Sequence, residues 1–374
     1  MDNKIVRALM MICLFSIPVL AQSPEPKAGG DARLQDLLEP IRQKHALPAL
    51  AGAIVTSKEL VAIGAVGVRK SGTEVPVTLD DTWHLGSDTK AMTAVVIASL
   101  VEQGKLRWDS SIGEVFPDLA SDMQPEMRKV TLLHLLSHRS GLPANIMWGL
   151  ISTQVPVQQQ RLNLVKSLSS LKLKSEPGTA YEYSNLGYVI AGAMAEKVTN
   201  FPWEKLISET VFEPLKMKSG GFGGTGTPGK IDQPWPHGVD GKPTPGNGPA
   251  VDNPRVLGPA GTVHCSLADW ASFIADQLRG EQGNGALLRP ETYKMLHKPP
   301  FGGDYALGWL VVQRPWGGGM VFTHAGSNTM NYAVVWIAPL RDFAVLVCTN
   351  QGGPTAAKAC DEAASALIGL QLKK

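Results

Sequence analysis

Apolar residues at Leu34, Leu37, Leu38 and Ile41 recur at the spacing of one helical stripe, which predicts an amphipathic helix over ARLQDLLEPIRQKHAL. The period then changes: LAGAIVTS and ELVAIGAVGVRK read as two strands around a tight turn at residues 57–59. Residues 91–101 are nearly all apolar, and a helix without a polar face is buried on every side, so Ser87 opens the central helix of the molecule. TLLHLLSHRSGLP makes a short helix capped by Thr131, and SNLGYVIAGAMAEKV makes a second buried one. Residues 221–254 hold nine glycines and seven prolines and read as a long surface loop or lid. In SLADWASFIADQL, Ser266 and Asp269 are placed as a capping pair and Gly280 is placed to close the helix. YALGWLVVQ, GMVFTH, NYAVVWIAP and DFAVLVCTN are strand candidates, followed by a helix over residues 355–370. Sequential strands with short connections favour an antiparallel sheet flanked by the terminal helices, an α/β protein of the α+β kind.

The first 21 residues have a different character. Lys4 and Arg7 precede an apolar run of 13 residues, 8–20, and small residues lead to a cleavage point after Ala21. That run falls short of the ~20 residues of a membrane-spanning helix, so residues 1–21 are expected to be a signal peptide and the mature chain to be secreted or periplasmic. Residues 22–374 then form one unit. Its sheet part is expected at about 30–85 and 260–374 and its mostly helical part at about 86–259. A net charge of +2 with interspersed signs offers no basic stripe for nucleic acid or anionic lipid, leaving a small-molecule or peptide substrate. Cys265, Cys348 and Cys360 form no disulfide framework, although one bridge is allowed and its pairing is left open.

Candidate chemistry begins at HLGSDTKAMTA. Ser87 and Lys90 are three residues apart and share one face of the helix, as a nucleophile and its activating amine require. Ser169 and Lys172 repeat the spacing, but in a polar segment without a buried helix. Tyr183-Ser184-Asn185 stands at a loop-to-helix junction, where a phenol could relay a proton if a cation such as Lys90 lowered its pKa from about 10. His324-Ala325-Gly326 ends a strand: Gly326 lets a substrate backbone approach, and the Ser327 N–H is aimed to receive an oxyanion. Lys70-Ser71-Gly72 and Lys218-Ser219-Gly220 spell K-S-G without a cleft-lining strand behind them. His134 and His138 are four apart but lack the glutamate of a zinc motif, and no metal or cofactor is expected.

Taken in order, S-x-x-K, Y-x-N and H-x-G resemble the serine β-lactamase and penicillin-binding protein superfamily, in particular its class C-like branch. LLHLLSHRSGLP, EPGTAYEYSNLGY, GPAGTVHCSLADW and YALGW extend the likeness. The resemblance implies a β-lactamase/transpeptidase-like fold, Ser87 as acylated nucleophile, Lys90 as activator, Tyr183 as proton shuttle and Asn185 as substrate-orienting group. It also implies an oxyanion hole made by the N–H groups of Ser87 and Ser327. His324 replaces the family lysine, and a histidine of ordinary pKa, about 6.5, would favour carboxylate-bearing substrates as pH falls. The expected activity is an exported serine hydrolase acting on an ester, a D-amino-acid amide or peptide, or a β-lactam. The alternative is a penicillin-recognising or cell-wall-binding sensor with little turnover.

Overall fold

The computed structural model describes residues 29–168 and 170–373, so the expected signal peptide and Ser169 lie outside the described residues. β1 (Ala49–Val55) and β2 (Leu60–Gly67) pair antiparallel across the turn at residues 57–59. The small sheet that follows joins β3 (Thr82–His84), β4 (Gly221–Phe222) and β5 (Val263–Ser266), in the order β3-β5-β4. The main sheet is completed by β6 (Leu310–Arg314), β7 (Gly319–Ser327), β8 (Tyr332–Ala338) and β9 (Phe343–Thr349), in the order β2-β1-β9-β8-β7-β6. All of its pairings are antiparallel.

β1 and β9 are buried at every position because the sheet is covered on both faces. Alternate side chains feed two cores. Leu50, Ile54, Val345 and Val347 pack under the helices Ala32–Lys44 and Gly353–Leu372. Ala51, Ala53, Leu346 and Cys348 face the other way, into the larger core shared with the helices Thr89–Glu102, Asn185–Thr199 and Leu267–Glu281. The helix Thr89–Glu102 is buried at eleven named positions, as an all-apolar helix must be. Thr131 caps the helix Leu132–Leu136 by accepting the His134 N–H, and Ser184 caps Asn185–Thr199 by accepting the Gly187 N–H.

Three expectations need correction. YALGWLVVQ is strand only from Leu310, since Gly308 at φ 88° turns the chain and the Ala306 N–H bonds the Trp309 carbonyl. Gly280 does not end its helix, which runs to Glu281; the glycine is there because an added Cβ would stand 2.3 Å from the Tyr293 ring. Residues 221–254 are not a free lid: Trp235 and His237 are buried, the Trp235 N–H bonds the Arg69 carbonyl at 2.7 Å, and the His237 N–H bonds the Asn350 carbonyl at 3.0 Å. The segment is a strap.

The K-S-G copies serve this packing. Lys70 sits 3.6 Å above the Trp235 ring, and Ser219 bonds the Asp269 carboxylate through both its N–H and its hydroxyl. Asp269 is thereby drawn away from the reciprocal cap that the sequence suggested, although Ser266 still accepts its N–H at 3.2 Å. Cys265, Cys348 and Cys360 are buried free thiols.

Candidate active site

Ser87 lies in a single 3₁₀ turn, Gly86–Asp88, immediately before the helix Thr89–Glu102. The turn needs a glycine at 86, where φ is 52°. Across from it, β6 pairs β7 only as far as Leu310 with Thr323, so among the described residues no strand lies beside the outer edge of β7 from His324 to Ser327, and the serine turn packs there instead. A Cβ on Gly326 would stand 1.9 Å from the Leu85 carbonyl oxygen and 2.6 Å from the Ser87 nitrogen. A Cβ on Gly86 would stand 2.3 Å from the Ser327 nitrogen. Two glycines therefore let the Ser87 and Ser327 backbone nitrogens approach across one narrow seam.

Lys90 is fully buried, with Nζ 3.0 Å from Ser87 Oγ, 2.8 Å from Asn185 Oδ1 and 2.6 Å from the Ala260 carbonyl oxygen. Burial holds its pKa well below the usual lysine range, against a smaller opposing pull from Asp88. A neutral amine has two N–H donors and one lone pair. Here two neighbours are pure acceptors, the Ala260 carbonyl and Asn185 Oδ1, which leaves the lone pair for the Ser87 hydroxyl proton. Asn185 is fixed in that orientation because its Nδ2 donates to Asn145 Oδ1 at 3.0 Å, an oxygen that also accepts from Trp148 Nε1 at 3.1 Å.

Tyr183 donates its hydroxyl to Ser87 Oγ at 2.7 Å. Its pKa moves opposite to the sequence expectation: burial pushes the phenol above its ordinary range, and Lys90, 4.9 Å from the ring centroid, does not depress it. Burial thus favours the neutral form of both, and it is the amine, not the phenol, whose proton-accepting form is favoured. The Tyr183 ring rests on His138, centroids 4.4 Å apart, and His138 Nδ1 accepts the Ser184 N–H at 3.0 Å. Sequence reading missed this support, since His138 lies beyond the end of the helix Leu132–Leu136, at φ 60°. His134 serves elsewhere: its Nδ1 accepts the Thr131 N–H, and its ring stacks on Phe301.

His324 is buried, with Nε2 3.1 Å from the Tyr305 hydroxyl and Nδ1 3.0 Å from the Ala325 carbonyl oxygen. The network assigns the proton to Nδ1 and makes Nε2 the acceptor from Tyr305. Burial first, and the nearby Lys90 second, push its pKa down to about 3, so the imidazole is neutral throughout the physiological range. That overturns the expectation of a cationic His324 at mildly acidic pH. The Michaelis constant for a carboxylate-bearing ester, relative to its uncharged analogue, is expected to vary less than about twofold between pH 5 and 8; a steady fall toward pH 5 would contradict a neutral His324.

Asp88 is buried with neither carboxylate oxygen hydrogen-bonded, and Oδ1 lies 3.8 Å from His324 Nδ1. Burial raises its pKa well above the carboxylate range. With the folded pKa above the unfolded value of about 3.9, stability falls as pH rises through that value and levels off above the folded pKa. Asp88→Asn removes this penalty. Its melting temperature relative to the parent is expected to rise between pH 4 and pH 8. A pH-independent difference would contradict the buried, unpaired carboxyl.

Beside these groups opens a cavity of about 550 Å³ walled by Tyr181, Tyr183, Tyr305, Leu310, Tyr332 and Trp336. Lys358 and Asp361, both from the helix Gly353–Leu372, put one cation and one carboxylate on its lining. Ser87, Lys90, Tyr183, Asn185, His324, Gly326 and Ser327 thus meet at one seam between the sheet edge and the helical region.

Comparison with known proteins places this geometry in context. A family profile described as Beta-lactamase matches residues 34–369. Penicillin-binding protein 4 of Amycolatopsis lactamdurans is 25% identical over 343 residues, covering 87% of this chain and 86% of that protein. Protein flp of Staphylococcus aureus (strain COL) is 23% identical over 325 residues; the match covers 85% of this chain but only 62% of that protein's length. Among solved structures, the D-alanine carboxypeptidase AmpC from Burkholderia cenocepacia superposes with a TM-score of 0.71 at 20% identity, covering 89% of this chain and 99% of that one. The fold is that of the β-lactamase/transpeptidase proteins.

Proposed function

The chain belongs to the beta-lactamase family, and from that premise we propose that it is an exported serine hydrolase working through an acyl-enzyme on Ser87. One observation carries the reading: Ser87 Oγ lies 3.0 Å from Lys90 Nζ and 2.7 Å from the Tyr183 hydroxyl. Ser87 Oγ attacks the substrate carbonyl as its proton passes to the Lys90 lone pair. The oxyanion is received by the N–H groups of Ser87 and Ser327. On collapse the carbonyl–heteroatom bond breaks, and the leaving group takes a proton from the Tyr183 hydroxyl, which Lys90 replenishes. Water then attacks the acyl-serine along the same proton path, releasing the acid and the free serine.

The substrate reading follows from charge. A neutral His324 supplies no cation at the strand end, and the largely aromatic cavity carries one cation, Lys358, and one carboxylate, Asp361, so its lining has no net positive charge. This favours an uncharged ester, or an amide without a carboxylate beside the scissile bond, over a D-alanyl peptide or a β-lactam. Export rests on the signal-like residues 1–21; among the described residues no helix is long and apolar enough to cross a membrane. The sensor alternative gains no support from a nucleophile that keeps both its amine and its phenol in place.

Intact-mass spectrometry after brief exposure to p-nitrophenyl butyrate, a D-amino-acid amide and a cephalosporin tests the reading. An acyl adduct on the Ser87 peptide, strongest with the ester, is expected. No adduct, or one at another residue, would overturn it. The acylation rate should also rise with pH along a limb well below the usual lysine pKa of about 10.4 and then flatten, because only the unprotonated amine accepts a proton. A limb near pH 10 would count against Lys90 as base.

A further inference from the structure

The two backbone donors of the seam are held by a carboxylate from the strap. Asp252, with its side chain 1% exposed, places Oδ2 2.9 Å from His84 Nε2 and accepts the Asn328 amide on Oδ1 at 2.8 Å. His84 is equally buried, and its Nδ1 accepts the Gly86 N–H at 3.0 Å. The tautomer is therefore fixed: Nδ1 is an acceptor, so Nε2 carries the proton and donates to Asp252. One arm of the carboxylate thus ends on the residue before Ser87, and the other on the residue after Ser327. Asn328 Oδ1 in turn accepts the Met330 N–H and the Asn331 amide, tying down the turn that follows β7. Anchoring the Gly86 N–H holds the plane of the Leu85–Gly86 peptide, from which the chain turns at φ 52° into Ser87.

We propose that Asp252 is a positioning residue that sets the spacing and aim of the oxyanion donors at Ser87 and Ser327, and that the strap 221–254 exists to deliver it. The inference rests on the serine-hydrolase reading above. Asp252 is 168 residues from His84 and 76 from Asn328 in sequence, so one side chain closes three separate segments on the site. Both carboxylate oxygens are used as acceptors. An asparagine offers only one and turns an NH₂ toward a donor, which releases one arm.

The test is Asp252→Asn, assayed with p-nitrophenyl butyrate and with phenylboronic acid, whose tetrahedral adduct on a serine needs the oxyanion donors. The acylation rate constant should fall ~10²-fold or more, the scale of one lost oxyanion donor. The boronate inhibition constant should rise in parallel, and the Michaelis constant should move less than about threefold. Asn328→Ala, which frees only the Ser327 arm, should show a smaller effect of the same kind. The double variant should lose less than the product of the two, because both act through one carboxylate. Asp232→Asn, in the same strap but bonded to Thr227, should leave both readouts unchanged.

A folded Asp252→Asn with unchanged acylation and boronate affinity overturns the inference, as does a loss confined to the Michaelis constant and melting temperature. Should Asp252→Asn not fold, Asn328→Ala alone decides by the same two readouts. If the parent protein forms no adduct at Ser87, or if Ser87→Ala binds the boronate as tightly as the parent, it is the serine-hydrolase reading that fails.

Discussion

Ser87→Ala is expected to lower kcat/KM for an activated ester by ~10⁶-fold, to the level left by binding alone, as removal of a nucleophile does in other serine hydrolases. Lys90→Met should cost nearly as much. It keeps the length of the chain but removes the lone pair facing Ser87 Oγ, and it leaves Asn185 Oδ1 and the Ala260 carbonyl without the donor they now share. Because the two residues perform one step, the double variant should be no slower than Ser87→Ala. Stopped-flow acylation with p-nitrophenyl butyrate, alongside circular dichroism to verify folding, reads all three. Multiplicative losses in the double variant would mean that lysine and serine act independently, which the 3.0 Å contact argues against.

Gly326→Ala is expected to be among the most damaging single methyls in the molecule. The new Cβ would meet the Leu85 carbonyl at 1.9 Å and the Ser87 nitrogen at 2.6 Å, and both are backbone atoms with no side-chain freedom to yield. The seam must open, so the oxyanion donors part: acylation should fall ~10²–10³-fold, the cost of losing oxyanion contacts. Overpacking should also cost about 1–3 kcal/mol of stability. Gly149→Ala is the matched control, since a Cβ there meets nothing within 4 Å. Wild-type acylation by Gly326→Ala would refute the close-approach account of the seam.

The readable and unreadable parts of the molecule divide along physical lines. The helix Ala32–Lys44, the β1–β2 hairpin and the buried helix after Ser87 follow from apolar period, which is local information. Ser87 and Lys90 were legible for the same reason, because helical geometry alone brings positions three apart together. Tyr183 and His324 needed the family resemblance, since nothing local says that a residue 96 positions from Ser87 will touch it. His138, Tyr305, His84, Asp252 and Asn328 escaped as site residues because their roles exist only once distant segments close. The charge states escaped too: a sequence supplies reference pKa values, while the depression at Lys90 and His324 is made by burial. Apart from the two-residue strand Gly221–Phe222, the glycines and prolines of 221–254 correctly signalled an absence of regular structure, but scattered residues such as Trp235 and His237 have no period to announce that they will be buried.

The alternation of β1 and β9 between two cores gives the main sheet the character of a bulkhead. Leu50, Ile54, Val345 and Val347 load the compartment beneath the two terminal helices, which holds none of the reacting groups. Exchanges of volume there spend stability and leave chemistry alone, whereas the same exchange one residue along the strand, at Ala53 or Leu346, presses on the compartment that also houses the nucleophile's helix. A protein built this way has the smaller of its two compartments in which to drift.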